Sequence, residues 1–176
     1  MKYLEKNLSQ YRYEHTVRVT DFATRLNSGL DQHQLALAGL CHDISKEMRP
    51  AAHYEIFERN NAPRDYWFLP KPLLHSKSGY YLANELFNIN DEQVHQAISY
   101  HTTGRAGMGP LARTVFAADY LGSLKKKKAE KQVKLSVHKL CLKKVKKTMK
   151  FLLKQRQRIH ADTIGFYNSL VEETDV

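Results

Sequence analysis

Cysteine is scarce in this 176-residue chain, which contains only Cys41 and Cys141. Two cysteines without a CxxC spacing exclude a disulfide framework and a thiolate metal site. Cys41 ends the apolar run LALAGLC, so we expect it to be a small core residue.

Long apolar runs are also missing. No stretch approaches the roughly 18 uninterrupted apolar residues of a transmembrane helix, and the N-terminal MKYLEKNLSQ lacks the apolar segment of a signal peptide. We therefore expect a soluble protein of the cytoplasm. With 42% hydrophobic residues, the chain can bury a substantial core. We predict a single domain over 1–176, with its core at about 12–122 and basic C-terminal helices at about 129–174.

Glycine and proline are sparse, at eight and five residues, and they lie between segments with helical spacing of apolar residues. Alternating runs of β-branched residues, which are typical of strands, are absent. The predicted fold class is therefore all-α. Caps and first-turn prolines predict helix starts at Ser9, Asp31, Pro50, Asp91 and Pro110. The helix capped by Ser9 is predicted to run to about Asn27.

Acidic residues are nearly absent from one segment. Residues 125–158 contain 15 of the 28 Lys and Arg residues but one of the 18 acidic residues, so this segment carries the excess behind the net charge of +10. Apolar residues recur at helical spacing between about 129 and 157, which predicts one long amphipathic helix with its lysines facing solvent. Alternatively, the lysines steer an anionic substrate, or bind nucleic acid or an acidic membrane surface. We favour the solvated face, and the sequence leaves a homodimer open.

His42 and Asp43 stand side by side at the end of a predicted helix, with Lys46 three residues after Asp43. Such a pair is not specific alone, because most His-Asp pairs are surface residues or helix ends. Matching ligands elsewhere would make it a metal site. The candidates come from the ends or inner faces of five predicted helices, and they are His15, His42, Asp43, His75, His101 and Asp119.

These candidates have structural alternatives. His15 lies on a core-facing stripe, where a histidine more often packs through a hydrogen bond than binds metal. His75 stands near a predicted helix start, where the dipole favours the neutral ring, but it could equally be a surface residue. Asp119 is the only acid in PLARTVFAADYLG and, if buried, needs a metal or a basic neighbour. Two other histidines, His53 and His95, are predicted to be exposed.

The candidate set indicates a chemistry. Neutral imidazoles with two carboxylates suit a first-row transition metal, and iron or manganese fits better than structural zinc because thiolates are lacking. A shared Asp43 can bridge two ions, which would generate hydroxide and polarise a phosphoryl oxygen. Lys46 and Arg105, the latter in the small-residue loop TTGRAGMG, could offset charge on phosphate oxygens, although both could be surface cations. Hydrolysis of a phosphate compound is the predicted reaction.

The series H…HD…H…H…D resembles that of the HD-domain metal-dependent phosphohydrolases. More closely, the combination of RYEHT, LAGLCHDISKE, LLHSKSG, AISYHTTGRAGM and AADY is similar to the YqeK-type HD proteins, the symmetrical diadenosine-tetraphosphate hydrolases of bacteria. The resemblance covers residues 12–120, with IHADTIGFYNSL at 159–170 similar to the C-terminal helix of that family. It implies an all-α HD fold, a dinuclear iron-type centre, and cleavage of diadenosine tetraphosphate into two ADP.

The resemblance also implies roles for single residues. One metal ion would be held by His15, His42, Asp43 and Asp119, and the second by Asp43, His75 and His101. Asp43 would bridge the ions, and Asp43 and Lys46 are the predicted catalytic residues. The predicted substrate-binding residues line the phosphate side of the pocket, and they are Lys46, Thr102, Thr103, Gly104 and Arg105.

One segment departs from the family pattern. After ADY the family continues into I-E-P-x-R, whereas this chain reads LGSLKKKKAEK. Lysines at 125–128 could supply the lost positive charge, although they are not bidentate equivalents of arginine. The alternatives are therefore an HD-domain nucleotidase, a (p)ppGpp-type hydrolase with another nucleotide substrate, or a nucleic-acid-binding regulatory protein on an HD scaffold.

Overall fold

The computed structural model describes residues 2–26 and 29–173, and in these residues it contains helices and no strand. The helices are α1 Lys2–Asn7, α2 Gln10–Arg25, α3 Gln32–Cys41, α4 Pro50–Arg59, a 3₁₀ helix Arg64–Phe68, α5 Lys71–Phe87, α6 Glu92–Tyr100, α7 Pro110–Gly122, α8 Lys126–Gln132, α9 Val137–Lys154 and α10 Ala161–Glu172. The all-α prediction is confirmed. No helix in the described ranges combines the length and apolar character needed to span a membrane.

The predicted helix starts are confirmed. The side chain of Ser9 accepts a hydrogen bond from the amide of Arg12, and that of Asp31 accepts one from the amide of Gln34. These caps satisfy amides that have no partner within the helix. The predicted end of α2 near Asn27 lies outside the described residues, and the helix is assigned as far as Arg25.

Helix α7 lies at the centre of the molecule and packs against α2, α3, α6, α8 and α9. Buried side chains, among them Leu111, Val115 and Leu121, lie on all sides of the helix, as is typical of a helix with an apolar sequence in the core. Gly122 allows a close approach to α2, because a Cβ there would lie 2.6 Å from Val19 Cγ2 and 3.4 Å from His15 Cε1. This contact brings the end of α7 that carries Asp119 beside His15.

The basic segment forms two helices, so the prediction of one long helix is wrong. Its helix breaks after Gln132 and restarts at Val137, where the side chain of Ser136 accepts a hydrogen bond from the amide of Lys139. Serine favours a cap over a helix interior, which accounts for the break. The predicted apolar stripe is present on α9, where Leu140, Cys141 and Val145 are buried.

Two histidines predicted to be exposed are not. His53 on α4 is buried, and its Nδ1 lies 2.7 Å from Ser78 Oγ on α5. The ring of His95 stacks on Tyr80 with 3.7 Å between the ring centroids, and only 26% of its side chain is exposed. Both rings are covered by a neighbouring helix, α5, whose position the spacing within a single helix does not reveal.

Candidate metal centre

The six candidate ligands meet in one cluster, although they lie on five separate helices. His15 comes from the middle of α2, His75 from the second turn of α5 and Asp119 from the last turns of α7. His42 and His101 follow the last residues of α3 and α6, where the chain turns away. The ends of α3 and α6 therefore face the sides of α2, α5 and α7.

Two overlapping groups of side chains have the spacing of metal ligands. One group is His15, His42 and Asp43, and the other is Asp43, His75 and His101; within each group the donor atoms lie within 4.8 Å of one another. Asp119 adds to the first group, since its Oδ1 is 3.0 Å from His15 Nε2 and 4.0 Å from His42 Nε2. Asp43 is the member common to both groups.

Hydrogen bonds behind two of the rings determine which nitrogen faces the cluster. His42 Nδ1 donates to the carbonyl of Gly39, and His101 Nδ1 donates to the carbonyl of Ile98, each at 2.7 Å. Because a carbonyl can only accept, the proton of each neutral ring is on Nδ1 and the lone pair is on Nε2. Such anchoring by backbone carbonyls is typical of histidines that bind metal.

Several buried acceptor atoms converge at this point. His42 Nε2 and Asp43 Oδ1 are buried without a hydrogen-bond partner in the described residues. The Nε2 atoms of His75 and His101 lie 3.2 and 3.3 Å from Asp43 Oδ1. The lone pair of His101 Nε2 thus faces a carboxylate oxygen, an arrangement that a cation would stabilise, and nitrogen and carboxylate donors suit a divalent transition metal. The cluster therefore fits metal ions, as the sequence predicted.

The electrostatics of the cluster keep its ligands in the binding form. Burial lowers the pKa of His42 to about 4 and that of His75 to about 3, so both rings are neutral at neutral pH. Burial would raise the pKa of Asp43, but the imidazoles of His42, His101 and His75 lower it well below its ordinary value. His75 is not at the helix start, because α5 begins at Lys71. Its neutrality comes from burial rather than from the helix dipole.

The HD domain model matches residues 12–124, which include all six candidate ligands. The chain belongs to the HD-domain family. It is 32% identical over 179 residues to "Bis(5'-nucleosyl)-tetraphosphatase, symmetrical" of Halalkalibacterium halodurans, with 98% of this chain and 96% of the relative covered. The relative of the same name in Bacillus subtilis is 30% identical, with 96% and 94% covered. A crystal structure of a predicted HD superfamily hydrolase involved in NAD metabolism from Clostridium acetobutylicum has a TM-score of 0.88 and 31% identity, with 98% and 95% covered.

Two of the residues predicted to contact substrate reach the ligand cluster of this HD domain. Lys46 Nζ lies 2.9 Å from His75 Nε2 and 3.9 Å from Asp43 Oδ1. Thr102 Oγ1 lies 3.0 Å from His101 Nε2. Both side chains therefore lie next to candidate metal ligands.

The other predicted substrate-binding residues, Thr103, Gly104 and Arg105, have no contact of this kind with the candidate ligands. Thr103 and Gly104 are buried, and the amide of Gly104 already donates to the carbonyl of Tyr100. Gly104 has a φ of +67°, and a Cβ there would lie 2.1 Å from Phe166 Cδ1 on α10. Arg105 is exposed, donates to the hydroxyl of Tyr100 and lies over its ring. Arg105 thus lines a cleft together with Tyr100, and none of the six candidate ligands lines that cleft.

The sequence-based prediction did not include two basic residues that contact the candidate ligands. Arg12 Nη1 donates to Asp43 Oδ2 at 2.7 Å, and Lys144 Nζ donates to Asp119 Oδ2 at 2.7 Å. The prediction that the lysines of the basic helix face solvent is wrong for Lys144, which is buried. A signal existed, because Lys144 is four residues after Leu140 and so shares its core-facing side of α9. Arg12 likewise precedes His15 by three residues on α2.

The lysines that replace the family's I-E-P-x-R segment do not reach the site. Residues 125–128 are exposed at the start of α8, and no ion pair is formed by them within the described residues. The positive charge beside the ligands of the HD domain comes instead from Arg12, Lys46 and Lys144.

Proposed function

We propose that the chain is a metal-dependent symmetrical bis(5'-nucleosyl)-tetraphosphatase, which hydrolyses diadenosine tetraphosphate into two molecules of ADP. Relatives named for this activity align over nearly the whole chain. The observation that carries the proposal is the position of Asp43, because its carboxylate is shared by two groups of metal-ligand spacing. Such a shared carboxylate could hold two ions, as in two-metal phosphoesterases.

The proposed ligand assignment divides the cluster at Asp43. His15, His42, Asp43 and Asp119 hold one ion, and Asp43, His75 and His101 hold the other. Iron is the first expectation for both ions, with manganese or another divalent ion as the alternative, because all donors are nitrogen and oxygen. When bound, the ions would supply a hydroxide nucleophile and polarise a phosphoryl oxygen.

The chain's own polar groups orient the phosphates in this proposal. The ammonium of Lys46, beside both Asp43 and His75, donates to oxygens on which negative charge develops. The hydroxyl of Thr102 is placed to donate to the same phosphoryl group. Asp43 would hold the ions that supply the nucleophile, and Asp43 and Lys46 are the proposed catalytic residues. Thr103 and Gly104 act through the backbone that fixes this loop.

A cleft of about 390 Å³, with space for a nucleotide, is lined by Tyr100, the residue before His101. Lys77 and Arg105 supply positive charge to its lining, which also contains Asp65 and Asp162. Phe68 is 79% exposed at the cleft and offers a ring face for a base. In the proposed reaction this cleft binds one nucleoside diphosphate half, with Arg105 pairing with phosphate.

A second candidate is hydrolysis of a different nucleotide by the same centre. Two observations favour it: the crystal-structure neighbour is described as involved in NAD metabolism, and residues 125–128 do not contribute charge to the site. Nucleic-acid binding through the exposed lysines of α9 is not favoured. We also propose that the enzyme acts in the cytoplasm.

A substrate panel tests the proposal against the second candidate. Metal-loaded protein would be incubated with diadenosine tetraphosphate, diadenosine triphosphate, ATP, guanosine tetraphosphate and mononucleotides, and rates would be compared at equal concentration. The proposal predicts the highest kcat/KM for the tetraphosphate dinucleotide. A higher kcat/KM for any mononucleotide would replace it with the second candidate.

A further inference from the structure

Lys144 of α9 makes three hydrogen bonds at the edge of the ligand cluster. Its Nζ donates to Asp119 Oδ2 at 2.7 Å, to the carbonyl of His101 at 2.5 Å and to the carbonyl of Phe116 at 3.1 Å. It comes from a helix beyond residues 12–124, the segment matched by the HD domain model. The C-terminal part of the chain therefore contributes directly to the surroundings of two candidate ligands.

The position of Lys144 is built for an ammonium group. A buried charge is costly unless it is fully paired, and three acceptors match the three N–H donors of a lysine. The ammonium also lies 3.9 Å from the centroid of the Phe116 ring. By contrast, Lys143, Lys146 and Lys147 on the same helix are exposed. Lys144 thus has a structural environment that its neighbours on α9 lack.

The two carboxylate oxygens of Asp119 have different partners. Oδ2 is held by the ammonium, and Oδ1 is directed towards His15 Nε2 at 3.0 Å. Held in this way, the carboxylate has a fixed rotation and presents one oxygen to the group of His15, His42 and Asp43. Groups that orient a ligand through a hydrogen bond raise metal affinity by fixing its geometry.

We infer that Lys144 is a positioning residue that fixes Asp119 as a one-oxygen ligand of the ion held by His15 and His42. The inference rests on the metal centre of the proposed function, but it does not depend on the substrate. Repulsion between the ammonium and the ion acts in the opposite direction and weakens metal binding. The positioning effect dominates because two carbonyls and a carboxylate surround the charge of Lys144 and offset it.

Metal titration of the metal-free protein measures this effect without any turnover. Lys144→Met keeps the length and apolar stem of the side chain but removes the charge. We expect it to weaken one of the two bound ions by roughly 10–100-fold and to leave the other within about threefold. The matched control Lys143→Met, on the exposed face of the same helix, should bind both ions as the wild type does.

The identity of the weakened ion is part of the test. His15→Ala removes a ligand of the first group, and His75→Ala removes a ligand of the second. In a Co²⁺ titration followed by visible absorption, the bands diminished in Lys144→Met should be those diminished in His15→Ala. Loss of the bands that His75→Ala removes would overturn the inference.

Chemical rescue separates positioning from packing. Lys144→Ala leaves a space with the shape of propylammonium, so added propylammonium should restore the weakened ion, whereas the neutral 1-propanol should not. Equal rescue by both compounds would show a packing role and overturn the inference, as would unchanged or increased metal affinity in Lys144→Met. A wild type that binds two ions but leaves diadenosine tetraphosphate intact would reject the proposed substrate and leave this inference standing.

Discussion

His42 and Asp43 are neighbours in the chain, and His42 Nε2 lies 3.5 Å from Asp43 Oδ2 at the end of α3. They nevertheless differ in the number of ligand groups to which they belong, because His42 belongs to one group and Asp43 to both. Asp43→Asn should therefore remove both ions and abolish turnover, whereas His42→Ala should remove one ion. Metal content per chain after gel filtration measures the difference. Equal loss in the two variants would contradict a bridging role for Asp43.

The stability of the metal-free protein should depend on pH through its buried histidines. The pKa of His42 is lowered to about 4 and that of His75 to about 3, so protonation favours the unfolded chain. Their contribution is complete above the ordinary histidine pKa of about 6.5 and is lost as the pH falls towards 4 and then 3. Denaturant unfolding at pH 7.5, 6, 5 and 4.5 should show a falling free energy of unfolding. The decline should be shallower in His75→Gln.

Gly104 should be more sensitive to substitution than a second glycine of the same loop. Gly104 and Gly107 have φ values of +67° and +75°, but a Cβ would clash with Phe166 at the first position and meets nothing within 4 Å at the second. Gly107→Ala should cost about 1 kcal/mol from backbone strain, and Gly104→Ala should cost about 3 kcal/mol or more because the ring must also move. Thermal and urea unfolding would give both values. Similar losses would refute the close packing of α10 on this loop.

Arg105 should affect substrate binding more than metal binding. It lies on Tyr100 at the nucleotide-sized cleft and makes no contact with the ligands. Arg105→Ala should lower kcat/KM by roughly 10–100-fold, through loss of a charge-assisted bond to phosphate, and leave both ions bound. Arg18→Ala, which removes an exposed arginine on α2, is the control. Loss of metal in Arg105→Ala would show that the residue supports the centre instead.

The convergence of the candidate ligands could be predicted in part, because local patterns singled out three of them. His42 and His101 end helices whose caps and apolar spacing are readable, and Asp119 is an acid in an otherwise apolar helix. The contacts of Arg12 and Lys144 could not be predicted, because each long side chain reaches a residue that is distant in the sequence. Lys144 meets Asp119 from 25 positions away in the chain. The same limit explains His53 and His95, which are covered by α5.

The division of the basic segment into α8 and α9 was not predicted, for a different physical reason. Apolar residues continue at helical spacing through the break, so periodicity alone favours one helix. The break is determined by Ser136, whose side chain caps α9, and by the packing of α9 on α7, with Leu140 and Val145 buried. The break and the packing place Lys144 beside Asp119.

Analysis of the products formed from diadenosine tetraphosphate tests the central claim most directly. Metal-loaded wild-type protein would be incubated with the dinucleotide, and the nucleotides would be separated by anion-exchange chromatography, with Asp43→Asn as the control. The account predicts ADP as the single product in the wild type and intact substrate in the control. Formation of ATP and AMP, or an intact dinucleotide with two ions bound, would contradict it.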